Sequence, residues 1–297
     1  MRKVMTNIDF VAEHYDIGNI LDCHSIRQGN SSKAMLVQAS YGKFVLRKLR
    51  DEQQAWTEYK MYQALASANI APSMVHAKDG LPFITDNHEV FNLQTYIENA
   101  LPRNQINLDF IRIGRLISLF HRVTSHLEIT EQADRFALPR LWSEVSREVT
   151  TSISECIRSL QQHTEHCMEY KDHYKAIIHG DLGIWNLLFT EESIHIIDVG
   201  EARRGDIHFD LAATLSSSVF TSVTEREAGE IVADFEQGYT QGGNSFSRKI
   251  LYEQMHLWVV RGLLTVIRER GMVRQTIPYV QRNLQLLEKF KHVLCGE

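Results

Sequence analysis

Residues 177–212 read IIHGDLGIWNLLFTEESIHIIDVGEARRGDIHFDLA, and no other stretch of the 297 residues carries as much structural instruction. Two apolar runs, 187–189 and 194–197, flank Glu191-Glu192-Ser193, the pattern of a β-hairpin. With a three-residue loop, Thr190 pairs with Ile194 and, counting outward, Asn186 falls opposite Asp198; a two-residue loop moves the pairing by one position. Directly opposed residues hold their Cβ atoms about 4.5–5.5 Å apart. An amide oxygen and a carboxylate at that spacing suit one hard cation such as Mg²⁺, which takes oxygen ligands and keeps several waters. Asp181 precedes Asn186 in a tight loop opened by His179-Gly180, where a carboxylate can accept a proton from an incoming hydroxyl. Taken singly, such aspartates cap turns or end strands. Taken together, the three residues point to metal-dependent group transfer.

Outward from this segment the chain changes character once. Residues 34–39 (AMLVQA) and 43–49 (KFVLRKL) read as strands joined at Ser40-Tyr41-Gly42. A helix is expected over 52–68, ended by Asn69 and Pro72, followed by short strands at 73–76, 81–85 and 90–97. After Pro102, Ile106, Phe110, Ile113, Ile117 and Phe120 recur at helical spacing over 106–124. A second long helix is expected over 142–169, strand-like segments at 176–178 and 187–198, and three helices from about 224 onward. This is an α+β chain: a small β-rich lobe over 1–99, a connection at about 92–101, and a larger, mainly helical lobe over 102–297.

On the first helix Glu58 shares an apolar stripe with Ala55, Tyr62 and Leu65. A carboxylate on such a stripe needs a partner, since burying it alone is costly. The strand cations Arg47 and Lys48 point to opposite faces, so only one of them can supply it.

The net charge is −5 and no basic stripe is visible, which argues against nucleic acid as a partner. Four dispersed cysteines, with no C-x-x-C pair, suit reduced thiols rather than a disulfide framework or a zinc site. The N-terminus has no signal-peptide pattern, and the most apolar stretch, 257–267, contains Arg261 and is too short to cross a bilayer. A cytoplasmic location with no membrane partner is expected.

The run H-G-D-L-x-x-x-N-L-L-F followed by I-I-D resembles the catalytic core of the aminoglycoside phosphotransferase and choline kinase superfamily, which has a protein-kinase-like fold. The likeness continues through G-E-A-R-R-G-D-x-x-F-D-L-A and, more loosely, through the first strands and IRQGNSS. It implies an ATP- or GTP-dependent, Mg²⁺-assisted phosphotransferase acting between two lobes on a hydroxyl of a small molecule. Asp181 would be the base, Asn186 and Asp198 the metal ligands, and His179 and Asp210 supports of the loop. Arg47, in place of the usual lysine, and Glu58 would serve the phosphates, with Gly29, Asn30, Ser31 and Ser32 as the phosphate loop. Thr95 and Ile97 would reach the base of the nucleotide, and Trp185 and Glu201 would line the acceptor pocket. Residues 143–202 carry 11 Asp and Glu against 4 Lys and Arg, a field that suits a cationic acceptor such as an aminoglycoside or an amino alcohol. Gly180 stands where many protein kinases place arginine, and only eleven residues separate Asp198 from Asp210. A long activation segment does not fit there, which disfavours peptide phosphorylation. The alternative is a catalytically silent, nucleotide-binding or structural relative.

Overall fold

The computed structural model describes residues 8–26, 34–150, 154–171, 176–219 and 222–296. The chain forms two compact units: residues 1–106 with 126–130 and 188–200, and residues 107–125 with 131–187 and 201–297.

The first unit opens with α1 (Ile8–His14) and an antiparallel sheet. Its strands are β1 (Ile20–Ile26), β2 (Ala34–Ala39), β3 (Gly42–Leu49), β4 (Met74–Val75), β5 (Ile84–Asp86) and β6 (Glu89–Thr95). The order is β1-β2-β3-β6-β4, with β5 also pairing β6. Alternate residues of β2, β3 and β6 bury Val37, Leu46, Phe91 and Leu93 with Tyr15 and Ile17. Between β3 and β4 runs α2 (Glu52–Ser67), started by the Asp51 carboxylate, which accepts the Gln54 N–H at 2.8 Å. It buries Ala55, Glu58, Tyr62 and Leu65, the stripe seen in the sequence, and Met61 besides.

The second unit contains α3 (Phe110–Thr124), α4 (Leu138–Thr150), α5 (Glu155–Cys167) and β7 (Ala176–Ile178). The hairpin strands β8 (Leu187–Phe189) and β9 (Ile194–Ile196) come next, the hairpin lying mostly in the first unit. The remainder is β10 (Arg203–Gly205), paired with β7, and α6 (Ile207–Ser218), α7 (Glu225–Gln241), α8 (Arg248–Arg270) and α9 (Thr276–Cys295). The long helix expected over 142–169 is instead two helices. In α4, Leu138, Leu141, Val145 and Val149 form one buried stripe; Ile157, Leu160 and Thr164 form another in α5. Both pack with Val260, Leu263 and Leu264 of α8 and Val280 of α9 in one core.

A polar cluster lies between α5 and α8. His256 Nε2 lies 2.8 Å from His163 Nδ1, and its Nδ1 lies 2.9 Å from the Tyr170 hydroxyl. Burial, reinforced by His163 and His166, pushes the His256 pKa down to about 3; burial also lowers that of His163. Between that value and the ordinary 6.5, the unfolded chain binds a proton that the folded chain refuses. Stability is therefore full above about pH 6.5 and falls as the pH drops toward 3, by up to about 1.4 kcal/mol per pH unit for each such group. Urea unfolding at pH 7 and pH 5 should show this loss, and His256→Gln should flatten it; an unchanged slope would refute the assignment.

Candidate active site

In the first unit the geometry is organised around one carboxylate. Glu58 is fully buried and accepts three hydrogen bonds: from Arg47 Nη1 at 2.9 Å, Asn92 Nδ2 at 2.8 Å and Gln54 Nε2 at 2.7 Å. Arg47 and Asn92 are register partners on β3 and β6, so the sheet brings two donors to one face. Lys48, one residue on, bonds Glu89 instead. The other guanidinium nitrogen of Arg47 bonds the Asp198 carboxylate, and the Asp198 N–H donates to the Tyr62 hydroxyl at 2.9 Å. Burial favours the neutral guanidine, but the charges of Asp198 and Glu58 outweigh it and raise the Arg47 pKa above its usual value. Asp198 itself adopts a left-handed backbone, φ 59°.

The hairpin before Asp198 is tighter than a three-residue loop allows. Thr190 N–H donates to the Ser193 carbonyl at 2.8 Å, and the Ser193 N–H returns to Thr190 Oγ1 at 2.9 Å. The loop is therefore Glu191-Glu192, and the pairing shifts by one position. Asn186 lies in a 3₁₀ turn (Ile184–Asn186) ahead of β8, and Asp198 lies beyond the end of β9, so neither is a ladder residue.

In the second unit the loop after β7 is bonded to α6. The buried Asp210 carboxylate accepts the His179 N–H at 2.7 Å and the Gly180 N–H at 3.0 Å. Thr214 Oγ1 donates to the Leu182 carbonyl at 2.7 Å, and the Ile184 N–H donates to Ser217 Oγ at 2.9 Å. His179 Nδ1 accepts the Asp181 N–H at 3.3 Å. Asn186 Nδ2 donates to the Asp181 carbonyl at 2.7 Å and to its carboxylate at 3.3 Å. Both bonds engage the amide nitrogen; the amide oxygen is the atom of this side chain that could hold a hard cation.

Gly180 has φ 79°, and a Cβ there would stand 2.0 Å from Arg203 Nη1 and 2.5 Å from the Glu201 carbonyl oxygen. Arg203 in turn bonds Asp134 at 3.0 Å, and Asp134 also takes Arg261 at 3.1 Å. Trp185 is 40% exposed and stacks on Trp258, with ring centroids 6.4 Å apart. Glu201 is paired with Arg135.

Of the remaining sequence candidates, Thr95 ends β6, and its N–H donates to the Ser73 carbonyl at 2.9 Å; Ile97 follows outside the ladder. Gly29, Asn30, Ser31 and Ser32 lie outside the described residues. Sequence reading missed Gln54, Asn92 and Tyr62. No signal marked Asn92: its strand reads EVFNLQT, with Glu89, Gln94 and Thr95 as further polar residues.

The sequence model of the Phosphotransferase enzyme family (APH) matches residues 22–249. The chain belongs to that family. Solved structures share its fold at low sequence identity. Amicoumacin kinase hAmiN in complex with AMP-PNP, Ca²⁺ and Ami is 12% identical with a TM-score of 0.75, over 97% of this chain and 94% of that one. An aminoglycoside phosphotransferase from Alicyclobacillus acidocaldarius is 14% identical with a TM-score of 0.70, over 96% and 93%. Choline kinase LicA from Streptococcus pneumoniae is 15% identical with a TM-score of 0.63, over 91% and 94%. The kinase-like fold, a small antiparallel-sheet lobe with a larger helical part, is thus the fold of this family member. No curated protein matches the chain.

The burial of Glu58 gives a direct test. Arg47→Ala should cost about 3–5 kcal/mol in urea unfolding, because Glu58 is left without its buried cation. Lys48→Ala, at a partly exposed pair, should cost less than about 1 kcal/mol. Equal losses would contradict the pairing.

Proposed function

We propose that this family member transfers the γ-phosphate of ATP or GTP to a hydroxyl of a small molecule. The observation that carries the reading is the Asp181 loop. Its carboxylate is held by Asn186, its backbone is bonded to a buried aspartate, and its chain matches the phosphotransferase family over residues 22–249.

In this reading Asp181 orients the acceptor hydroxyl and takes its proton, while Asn186 and Asp198 are the protein's ligands for Mg²⁺. The donor set fits that ion: one amide oxygen and one carboxylate, with the remaining positions left to nucleotide phosphates and water. Among the described residues no group of three or more His, Cys, Asp or Glu could hold a metal by itself, which suits an ion that arrives with the nucleotide. When bound, the ion neutralises charge on the transferring phosphate. Arg47 is kept cationic by Glu58 and serves the phosphates. Thr95 and Ile97 supply backbone groups toward the base, and Gly29, Asn30, Ser31 and Ser32 form the phosphate loop.

Trp185 and Glu201 belong to the acceptor side. Antibiotic and choline kinases share the fold, and an aminoglycoside-like antibiotic, an amino alcohol or a sugar metabolite is the acceptor class proposed. A second reading, a catalytically silent nucleotide binder, is favoured by one observation: Arg47 stands where lysine is usual and already bonds Asp198.

Thermal shift separates the readings. Mg²⁺ alone should leave the Tm unchanged, whereas Mg²⁺ with ATP or GTP should raise it. No nucleotide-dependent shift would sink both readings. ADP release across a panel of aminoglycosides and amino alcohols should then identify the acceptor, and no release with any of them would leave the silent reading. Asp181→Asn should cut turnover by about 10²–10⁴-fold while keeping the nucleotide shift. An active variant would remove Asp181 as the base.

A further inference from the structure

Shortly after Asp181 the loop turns an indole toward solvent. Trp185 is 40% exposed, although it is held from two sides. It lies against Gly183, where a Cβ would stand 2.3 Å from Trp185 Cζ2, so the ring needs a residue without a side chain beside it. It also meets Trp258 of α8, with the two ring planes 22° from parallel. Trp258 is fixed in turn by the Phe209 ring, edge-on at 5.2 Å, and by the Arg261 guanidinium at 5.4 Å. A large apolar ring that is fixed in place and still left in water is a surface prepared for contact, because burying it would have been favourable. Its position connects it to the chemistry: the next residue, Asn186, bonds the Asp181 carboxylate at 3.3 Å.

The charges in this neighbourhood are already matched. After burial, the strongest influences on the Arg261 guanidinium are Asp134, Arg203, Asp181 and Glu201, in that order. Asp134 takes both Arg203 and Arg261, and Glu201 takes Arg135, whose Nε lies 3.3 Å from Glu201 Oε2. Three carboxylates thus face three guanidiniums, and the sum is zero. Within the Arg135–Glu201 pair the cation is 44% exposed and the carboxylate 16%, so the charge more open to solvent is positive. The acidic excess over residues 143–202 does not change this, since Glu144, Glu148, Glu155 and Glu165 lie on α4 and α5 instead. A site for an ammonium group gathers carboxylates and open aromatic faces. Here Trp258 already carries a guanidinium, and a polycation would meet cations.

We infer that the acceptor is an uncharged ring polyol, a sugar or cyclitol, whose apolar C–H face lies on Trp185, and that Trp185 and Arg135 decide this choice. The inference rests on the proposed transfer to a hydroxyl at Asp181. Such a ring carries C–H bonds on its faces and hydroxyls around its edge. With one face on the indole, an edge hydroxyl gives its proton to Asp181 and its oxygen bonds the γ-phosphorus, as the bond to the departing nucleoside diphosphate breaks. Arg135 disfavours the ammonium-bearing analogue of the same ring by like charge.

The test measures ADP release by the full chain with paired acceptors that differ chiefly in charge: glucose with glucosamine, and myo-inositol with 2-deoxystreptamine, at a pH where the amines are protonated. The neutral member should have the higher kcat/KM, by about tenfold. Trp185→Ala should raise the KM for the neutral acceptor about tenfold while the KM for ATP and the Mg²⁺-ATP thermal shift hold. Trp185→Phe, which keeps a flat ring, should recover most of the loss and serves if Trp185→Ala does not fold. Arg135→Gln should move the kcat/KM ratio toward the amine by about tenfold. Release with amino sugars, aminoglycosides or amino alcohols alone would overturn the inference, as would an acceptor KM untouched in Trp185→Ala; either result leaves the proposed function standing. No release with any acceptor, neutral or charged, would defeat the proposed function and this inference with it.

Discussion

A carboxylate removed from water must be answered by donors, and much of the first unit is arranged to answer Glu58. The charge sits on the buried face of α2, where its own helix supplies only Gln54. The other donors come from two strands, and the antiparallel register that pairs Arg47 with Asn92 is what delivers both. One guanidinium then serves two carboxylates, Glu58 and Asp198, so the hairpin that ends at Asp198 is joined to the helix through a single cation. Replacing this network with apolar residues of similar size would be compatible with a stable fold. Its presence is better understood as a device for holding a cation and a carboxylate in fixed relation.

The same logic recurs in the second unit with different groups. Asp210 is also fully buried, and it too is answered mostly by groups distant in sequence, here two backbone amides and an imidazole. Both carboxylates tie a helix to segments distant in sequence. The difference lies in what is held: Glu58 is answered by side chains of two strands, Asp210 by the backbone of a loop.

Much of this was legible in residues 177–212, because the functional groups lie close together there and the strand pattern is short and clear. Glu58 was legible as well, since a charge on an apolar stripe announces a partner. Its companions were not: Asn92 and Gln54 reach it from positions 34 residues away and one helical turn away, and hydrogen bonding between side chains leaves no period in the sequence. The end of α4 at Thr150 and the fresh start of α5 after its N-cap Ser154 were missed for a related reason. The polar positions between them read as one continuous helix, whereas the two apolar stripes of α4 and α5 each need α8, and one straight helix cannot present both. The loop length at Glu191-Glu192 turned on side-chain bonds between Thr190 and Ser193, which spacing alone does not disclose.

Gly180 has a consequence for how such a sequence can change over time. Its backbone is left-handed, and the space a side chain would need is filled by the Arg203 guanidinium and the Glu201 carbonyl. Arg203 occupies that space because Asp134, shared with Arg261, draws it there. A side chain at position 180 is therefore inaccessible by one substitution, however useful it might be in another chain. Even with Arg203 drawn away by a change at Asp134, the left-handed backbone and the Glu201 carbonyl would still close position 180 to a side chain.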